Sequence, residues 1–260
     1  MRMSKMKIGV IGAGNMGTAM IKGWLNDDHQ KLAVLNPENP RVEQFCAAHQ
    51  LPLFHEAHEL IGWQPELLVF TTPAPVTLSV IKQFKLISAK VIMVSAAAGV
   101  KLTDLEASLP NHPWIRIIPN IPVTVNAGTI GITMGQNTKQ HHELITKTFE
   151  VLGNLIEVRE DQLNIVGTVG GCGPAFIDVV MDALGDAAVK HGLDREHAYQ
   201  LAASMVAGSG KLALQTGLSP ATLRDQVTSP GGTTIRGVLA LEKHRVRYAL
   251  IDAIDAASDN

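Results

Sequence analysis

The sequence predicts an α/β fold in two parts, an N-terminal domain of alternating strands and helices over residues 1–160 and an all-helical domain over 161–260. Three observations predict it. The glycine-rich turn Gly12-Ala13-Gly14-Asn15-Met16-Gly17 stands between an apolar run and a helical pattern. Apolar runs of strand length then recur between helical patterns as far as about residue 158. Beyond that point only the helical period continues.

Lys7-Ile8-Gly9-Val10-Ile11 reads as a buried strand, and Met20, Ile21, Trp24 and Leu25 mark the helix after the glycines. A strand before and a helix after give the motif its meaning as a Rossmann-type dinucleotide-binding turn. Gly12 permits the tight turn, Gly14 lets a pyrophosphate approach, and Gly17 allows the helix to pack closely on the strand. Ala13, Asn15 and Met16 belong to the same cofactor-binding loop. Leu32 to Leu35 is the second strand, whose end carries an acid in enzymes that bind NAD through the ribose 2′-hydroxyl. Asn36 stands there instead, with Arg41 five residues on. The pair favours NADP, with NADPH the expected donor and NAD the alternative; Arg41 on a solvated helix face is the other reading.

Leu67 to Phe70 is a strand ending at Thr71-Thr72-Pro73, and residues 76–87 are helical. Val91 to Val94 is a strand ending in Ser95-Ala96-Ala97-Ala98-Gly99, and Thr103 to Glu106 reads as a capping box for a short helix. Trp114 to Ile118 is a strand closed by Pro119-Asn120-Ile121-Pro122, one further strand is expected at 129–134, and the pattern changes after 154–158. This alternation implies a parallel sheet covered on both faces, with ligands at the strands' carboxyl ends. Thr71, Thr72, Pro73, Ala97 and Asn120 are thereby placed beside the cofactor, turn formation being the alternative duty of each.

Helical patterns then cover 161–169, 174–191, 194–216, 220–227, 235–243 and 245–256. Gly173-Pro174, Gly192 with Asp194, and Gly217 with Ser219-Pro220 supply stops and starts. Ala198 to Leu214 is apolar on more than one side, and about 100 residues offer little core in which to bury it. We therefore expect this half to be an all-helical dimerisation domain that builds a homodimer or a higher homo-oligomer. Asp178, Asp182 and Asp186, at four-residue spacing, read as a solvated or interface row.

Hydrophobic residues make up 46% of the 260 and charged residues 18%, which is globular composition. A net charge of -2 gives no general reason to bind nucleic acid or anionic membrane, and no stretch reaches the apolar length of a span. Met1 to Met6, with Arg2 and Lys5, has no signal-peptide pattern, so a cytoplasmic protein acting on a small molecule is expected. Cys46 and Cys172 lie far apart and no metal-ligand spacing occurs. His55 and His58, like His141 and His142, read as solvated residues.

The remaining motif is Ser229-Pro230-Gly231-Gly232-Thr233-Thr234, which opens the helical pattern of Ile235, Val238, Leu239 and Leu241. Amides of Gly232, Thr233 and Thr234 at a helix N-terminus suit a carboxylate or phosphate; a capped turn is the alternative. The longer string from Arg224 to Ile235 closely resembles the signature of the pyrroline-5-carboxylate reductases. The glycine loop, Val94 to Gly99, Arg116 to Pro122 and Gly173-Pro174-Ala175 extend the resemblance, in family order, over essentially the whole chain. It implies reduction of 1-pyrroline-5-carboxylate, a cyclic imino acid, to proline by NAD(P)H, the last step of proline synthesis. It also implies a substrate carboxylate on the Ser229 hydroxyl and the Gly232 and Thr233 amides, with the catalytic Thr234 hydroxyl at the ring nitrogen. The chain departs from the family at three places. Thr71-Thr72-Pro73 replaces a lysine-containing turn, Gly170-Gly171-Cys172-Gly173 lacks two serines, and Ile121 replaces a threonine. The competing readings are a β-hydroxyacid dehydrogenase, which needs a lysine or similar group that 174–186 lacks, and a non-catalytic dinucleotide sensor.

Overall fold

The computed structural model describes residues 5–27 and 30–258, so the reading of Met1 to Ser4, Arg2 included, lies outside the described residues. The chain forms two compact units, residues 1–171 and 172–260. The sequence boundary after residue 160 falls inside the first unit. There the Leu163–Gly167 helix packs on two strands, with Ile118 and Val166 at the contacts.

In the first unit β1 (Met6–Ile11) leads to α1 (Asn15–Leu25), β2 (Gln30–Leu35) to α2 (Pro40–Ala48), and the two-residue β3 (Leu53–Phe54) to α3 (Ala57–Gly62). Next come β4 (Leu67–Phe70), α4 (Ala74–Ile81), β5 (Ile92–Ser95), α5 (Leu102–Ser108) and β6 (Trp114–Ile118). The unit closes with β7 (Gly128–Met134), α6 (His142–Glu150), β8 (Gly153–Glu157) and α7 (Leu163–Gly167). The strand order is β3-β2-β1-β4-β5-β6-β7-β8, and it reverses direction between β1 and β4. That reversal is the crevice where ligands of such sheets bind.

Alternate residues of the strands from β1 to β6 enter separate cores, as the two-residue period requires. Leu67 and Val69 of β4 join Met20 and Trp24 of α1, Val42 of α2 and Phe149 of α6. Leu68 and Phe70 join Leu60 of α3, Ile81 of α4 and Leu105 of α5 on the other face. The sheet is not wholly parallel, because β6 and β7 pair antiparallel. The chain between them makes only a short 3-10 turn, Ile121–Val125, too brief for a crossover. The expected capping box is also absent: Thr103 lies inside α5, whose cap is Lys101 without a side-chain bond. Glu160 supplies what the box does not, its Oε1 accepting the Leu102 amide at 2.6 Å.

The second unit holds α8 (Gly173–Lys190), α9 (Arg195–Thr216), α10 (Pro220–Gln226), α11 (Thr233–Lys243) and α12 (Val246–Ser258). Local chemistry sets these ends. The Asp194 carboxylate accepts the His197 amide, the Ser219 hydroxyl accepts that of Thr222, and Gly217 turns left-handed at φ 64°. Gly173-Pro174 starts a helix without stopping the one before, since a π-helical turn, Thr168–Cys172, joins them. Residues 160–190 are then long and apolar enough to cross a membrane by length and composition alone, which corrects the expectation that no stretch is. Gly185, Ala198 and Ala202 are the only buried residues described in this unit. Val179, Leu201, Leu214 and Tyr248 are each more than half exposed.

Candidate functional site

The first unit carries a dinucleotide cradle at the sheet's switch point. Gly12 has φ 90°, a conformation that a side chain opposes, and its amide donates to Leu35 O at 2.8 Å. A Cβ on Gly17 would stand 2.2 Å from Gly12 O, so glycine alone lets α1 sit this close to the turn. A Cβ on Gly14 would meet nothing within 4 Å, which leaves the open approach that a pyrophosphate needs. The first turn of α1 has no side-chain cap and no acidic residue, so the amides of Asn15, Met16 and Gly17 offer donors to an anion. The cradle fits a dinucleotide phosphate.

Thr71 braces this turn from β4. Its amide donates to Ile11 O at 2.9 Å and its hydroxyl to the carbonyls of Ile11 and Gly12. Thr72 shares a hydroxyl bond of 2.9 Å with Thr77, and Pro73 caps α4. Ala97 is buried, its amide donating to the Ser95 hydroxyl at 3.3 Å. Asn120 is also buried and works inside the fold. Its Nδ2 donates to Gly170 O at 2.8 Å and its Oδ1 accepts the Thr129 amide at 2.9 Å.

Asn36, which stands where NAD enzymes carry an acid, is bonded to the local backbone at both ends of its amide. Its Oδ1 accepts the Ala13 amide at 2.9 Å while its Nδ2 donates to Pro37 O at 2.7 Å, so the side chain shapes the glycine turn. Arg41 does not simply point to solvent: its Nη2 donates to Asn15 Oδ1 at 3.0 Å. His55 Nδ1 lies 2.8 Å from Asn36 O. Sequence reasoning set this histidine aside as solvated, since nothing local ties it to β2.

It also missed Arg116 and Glu160. The Arg116 side chain is 4% exposed and its Nη1 donates to Glu160 Oε1 at 2.6 Å. Burial opposes ionisation of the Glu160 carboxyl, but the Leu102 amide and Arg116 together hold it below the usual carboxylate range. The signal was present: an arginine inside the apolar strand Trp114-Ile115-Arg116-Ile117-Ile118 demands a carboxylate partner.

In the second unit the Ser229 to Thr234 loop is largely exposed and opens α11, whose first turn lacks both a side-chain cap and an acidic residue. Gly231 is left-handed at φ 68° and closes a turn in which the Gly232 amide donates to Ser229 O at 3.0 Å. The Gly232 amide is therefore engaged, contrary to its expected service to a carboxylate. The first-turn amides of Thr233 and Thr234 have no intrahelical acceptor. An ideal Cβ on Gly232 would stand 2.4 Å from Ser229 Oγ, so this glycine makes room for the hydroxyl. Of the aspartate row on α8, Asp182 accepts the Tyr199 hydroxyl at 2.7 Å and Asp186 pairs with Arg195. Among the described residues no group of acids, histidines and cysteines is arranged to hold a metal ion.

Residues 160–260 match the family model for pyrroline-5-carboxylate reductase dimerisation, and residues 7–99 match that for NADP oxidoreductase, coenzyme F420-dependent. The pyrroline-5-carboxylate reductase of Methanosarcina acetivorans is 36% identical, with 99% of this chain and 97% of the relative covered. The chain belongs to the pyrroline-5-carboxylate reductase family. Solved reductases of this family superpose along its length. The Coxiella burnetii enzyme gives a TM-score of 0.86 at 28% identity, covering 98% of this chain and 97% of that one. The Plasmodium falciparum enzyme, solved with NADP bound, gives 0.82 at 26%, covering 99% and 97%. Membership sets aside the β-hydroxyacid dehydrogenase reading.

Proposed function

We propose that this protein reduces 1-pyrroline-5-carboxylate to proline with NADPH, NADH being the weaker donor. The observation that carries the reading is the Ser229 to Thr234 loop, an exposed anion-ready helix start whose sequence resembles the family signature and lies inside the matched segment 160–260. The glycine cradle of the first unit supports the cofactor, and the family's Plasmodium falciparum member was solved with NADP. Residues 1–160 are assigned to the dinucleotide and 161–260 to substrate and oligomerisation, which the family match over 160–260 supports.

A bound reduced nicotinamide supplies a hydride. The substrate's protonated cyclic imine is already electrophilic, so the hydride adds to the imine carbon while the π pair withdraws onto nitrogen, which keeps its proton. The protein's work is then to bind, orient and exclude water. The Ser229 hydroxyl with the Thr233 and Thr234 amides holds the carboxylate, a charge-assisted arrangement at a positive helix end. The Thr234 hydroxyl orients the ring nitrogen. Gly12 to Gly17 cradle the pyrophosphate, with Thr71, Thr72, Pro73, Ala97 and Asn120 shaping the strand ends around the cofactor.

The largely exposed apolar helices of the second unit support a homodimer or higher homo-oligomer, and a small-molecule substrate in the cytoplasm completes the reading. The deciding experiment follows loss of NADPH absorbance with pyrroline-5-carboxylate and measures proline formed. One proline per NADPH is expected; no turnover by pure, folded protein refutes it and leaves the non-catalytic sensor.

A further inference from the structure

One cavity of the first unit shares no residue with the glycine cradle or with the Ser229 to Thr234 loop. It has a volume of about 470 Å³ and is lined by Gly99 and Lys101 before α5, Arg116 of β6, Glu160 and Asp161 before α7, and Asn164 on α7. Arg116 shares a face of β6 with Trp114, whose core includes Leu102 and Leu105 of α5, and with Ile118, against which the end of α7 packs. The arginine is therefore the floor of a recess between two helices.

Its side chain is 4% exposed, yet most of its donors are idle. A guanidinium carries five N–H groups, and among the described residues the one hydrogen bond of Arg116 runs from Nη1 to Glu160 Oε1 at 2.6 Å. Nε and Nη2 are unbonded but not sealed in, since Gln30 Oε1 is the only sealed side-chain atom without a partner among the described residues. They open on the cavity that Arg116 lines. A buried charge with unmet donors is costly, so the recess favours an acceptor. The other walls set the charge of what fits. Burial opposes ionisation of Glu160, but the Leu102 amide and Arg116 keep its carboxyl below the ordinary range, and Arg159 engages both oxygens of Asp161 at 3.1 Å. The Lys101 ammonium makes no hydrogen bond among the described residues, so the three cations Lys101, Arg116 and Arg159 exceed the two carboxylates by one charge. A monoanion balances that surplus, whereas a dianion would add repulsion from Glu160 and Asp161.

We propose that this recess binds a small monocarboxylate. Its two oxygens take the parallel N–H groups of Arg116 Nε and Nη2, the planar fork that a carboxylate matches, with the Lys101 ammonium and the Asn164 amide at the rim. The volume suits a small molecule.

The test follows the arginine Nε–H groups by NMR while acetate replaces chloride at constant ionic strength and neutral pH, without dinucleotide or substrate. Arg116→Lys identifies the Arg116 signal by its loss; if that variant does not fold, replacing the remaining arginines, of which every described one is exposed, identifies it by elimination. The signal should move saturably with a millimolar midpoint. Acetamide, which has the shape without the charge, should leave it in place, and sulfate should bind more weakly than acetate. Lys101→Glu reverses the charge of an exposed residue and should weaken acetate about tenfold or more, and Asn164→Asp should weaken it in the same direction. Ser229→Ala should leave the Arg116 response unchanged, because acetate on that loop is a separate event. No saturable movement at Arg116, an equal response to acetamide, tighter binding of sulfate, parental affinity in Lys101→Glu or Asn164→Asp, or loss of the response in Ser229→Ala overturns the proposal.

Discussion

Substitution of Gly232 by alanine probes the substrate loop without touching an atom assigned to the substrate. The backbone there, at φ -68° and ψ 173°, is open to any residue, so the cost is purely one of contact. The new Cβ would stand 2.4 Å from Ser229 Oγ and 3.1 Å from Ser229 O, but 3.6 Å from Ser229 Cβ. The hydroxyl must turn away while the rest of Ser229 stays. A hydrogen bond to a charged acceptor contributes about 1.5–3 kcal/mol, so KM for pyrroline-5-carboxylate should rise roughly tenfold to a hundredfold. Because the Thr233 and Thr234 amides remain, kcat should change by less than about threefold. Ser229→Ala should produce a similar rise. The combination is decisive: with the hydroxyl gone the severe 2.4 Å contact is removed and only the 3.1 Å approach to Ser229 O, common to both Gly232→Ala proteins, remains, so the double variant should be no worse than Gly232→Ala alone. Initial rates over a substrate series at saturating NADPH measure all four proteins. Multiplying defects, or a Gly232→Ala protein with parental KM, would refute the placing of the Ser229 hydroxyl on the carboxylate.

Thr234→Val should lower kcat more than it raises KM, because the ring nitrogen loses its guide, and Thr234→Ser should recover much of the loss; parental turnover by the valine variant leaves the loop as an anion clamp only. Glu160→Gln should destabilise the first unit at neutral pH by about 2 kcal/mol, the buried-pair penalty reduced for the partial exposure of Glu160. Because the Glu160 carboxyl is held below its unfolded value, its contribution is complete above the carboxylate range and is lost as pH falls through the folded value, so parent and variant should converge on acidification. Urea titrations read by fluorescence report this unit alone, since Trp24, Trp63 and Trp114 all lie in it; a gap that widens in acid contradicts the argument. Sedimentation at low micromolar concentration should reveal no monomer, and a stable folded monomer would show that the apolar faces of α8 and α9 need no partner.

Local chemistry was enough to read much of this protein from its sequence. The glycine turn is such a case, because the demands of Gly12, Gly14 and Gly17 arise within six residues. So are the ends of α9 and α10, where Asp194, Gly217 and Ser219 act on their own backbone. The family signature around Ser229 is also contiguous, which is why both the fold class and the reaction were legible before any coordinates. What was not legible depends on groups distant in sequence. Asn36 was read only as a residue without the acid of NAD enzymes, and that its amide bonds to Ala13 and Pro37 was not legible because only folding brings Ala13 to it. Arg41 meets Asn15 and His55 meets Asn36 because β1, β2 and β3 lie side by side. Thr103 made a plausible cap by local pattern, but Glu160, 58 residues from the amide it holds, won the helix end by also neutralising Arg116. The antiparallel β7 depended on a connection too short to cross over, and the engaged Gly232 amide on a turn whose geometry composition does not specify. Sequence determines what each residue is able to do; tertiary structure decides which partner reaches it, because a polar group removed from water takes the partner that the fold brings near.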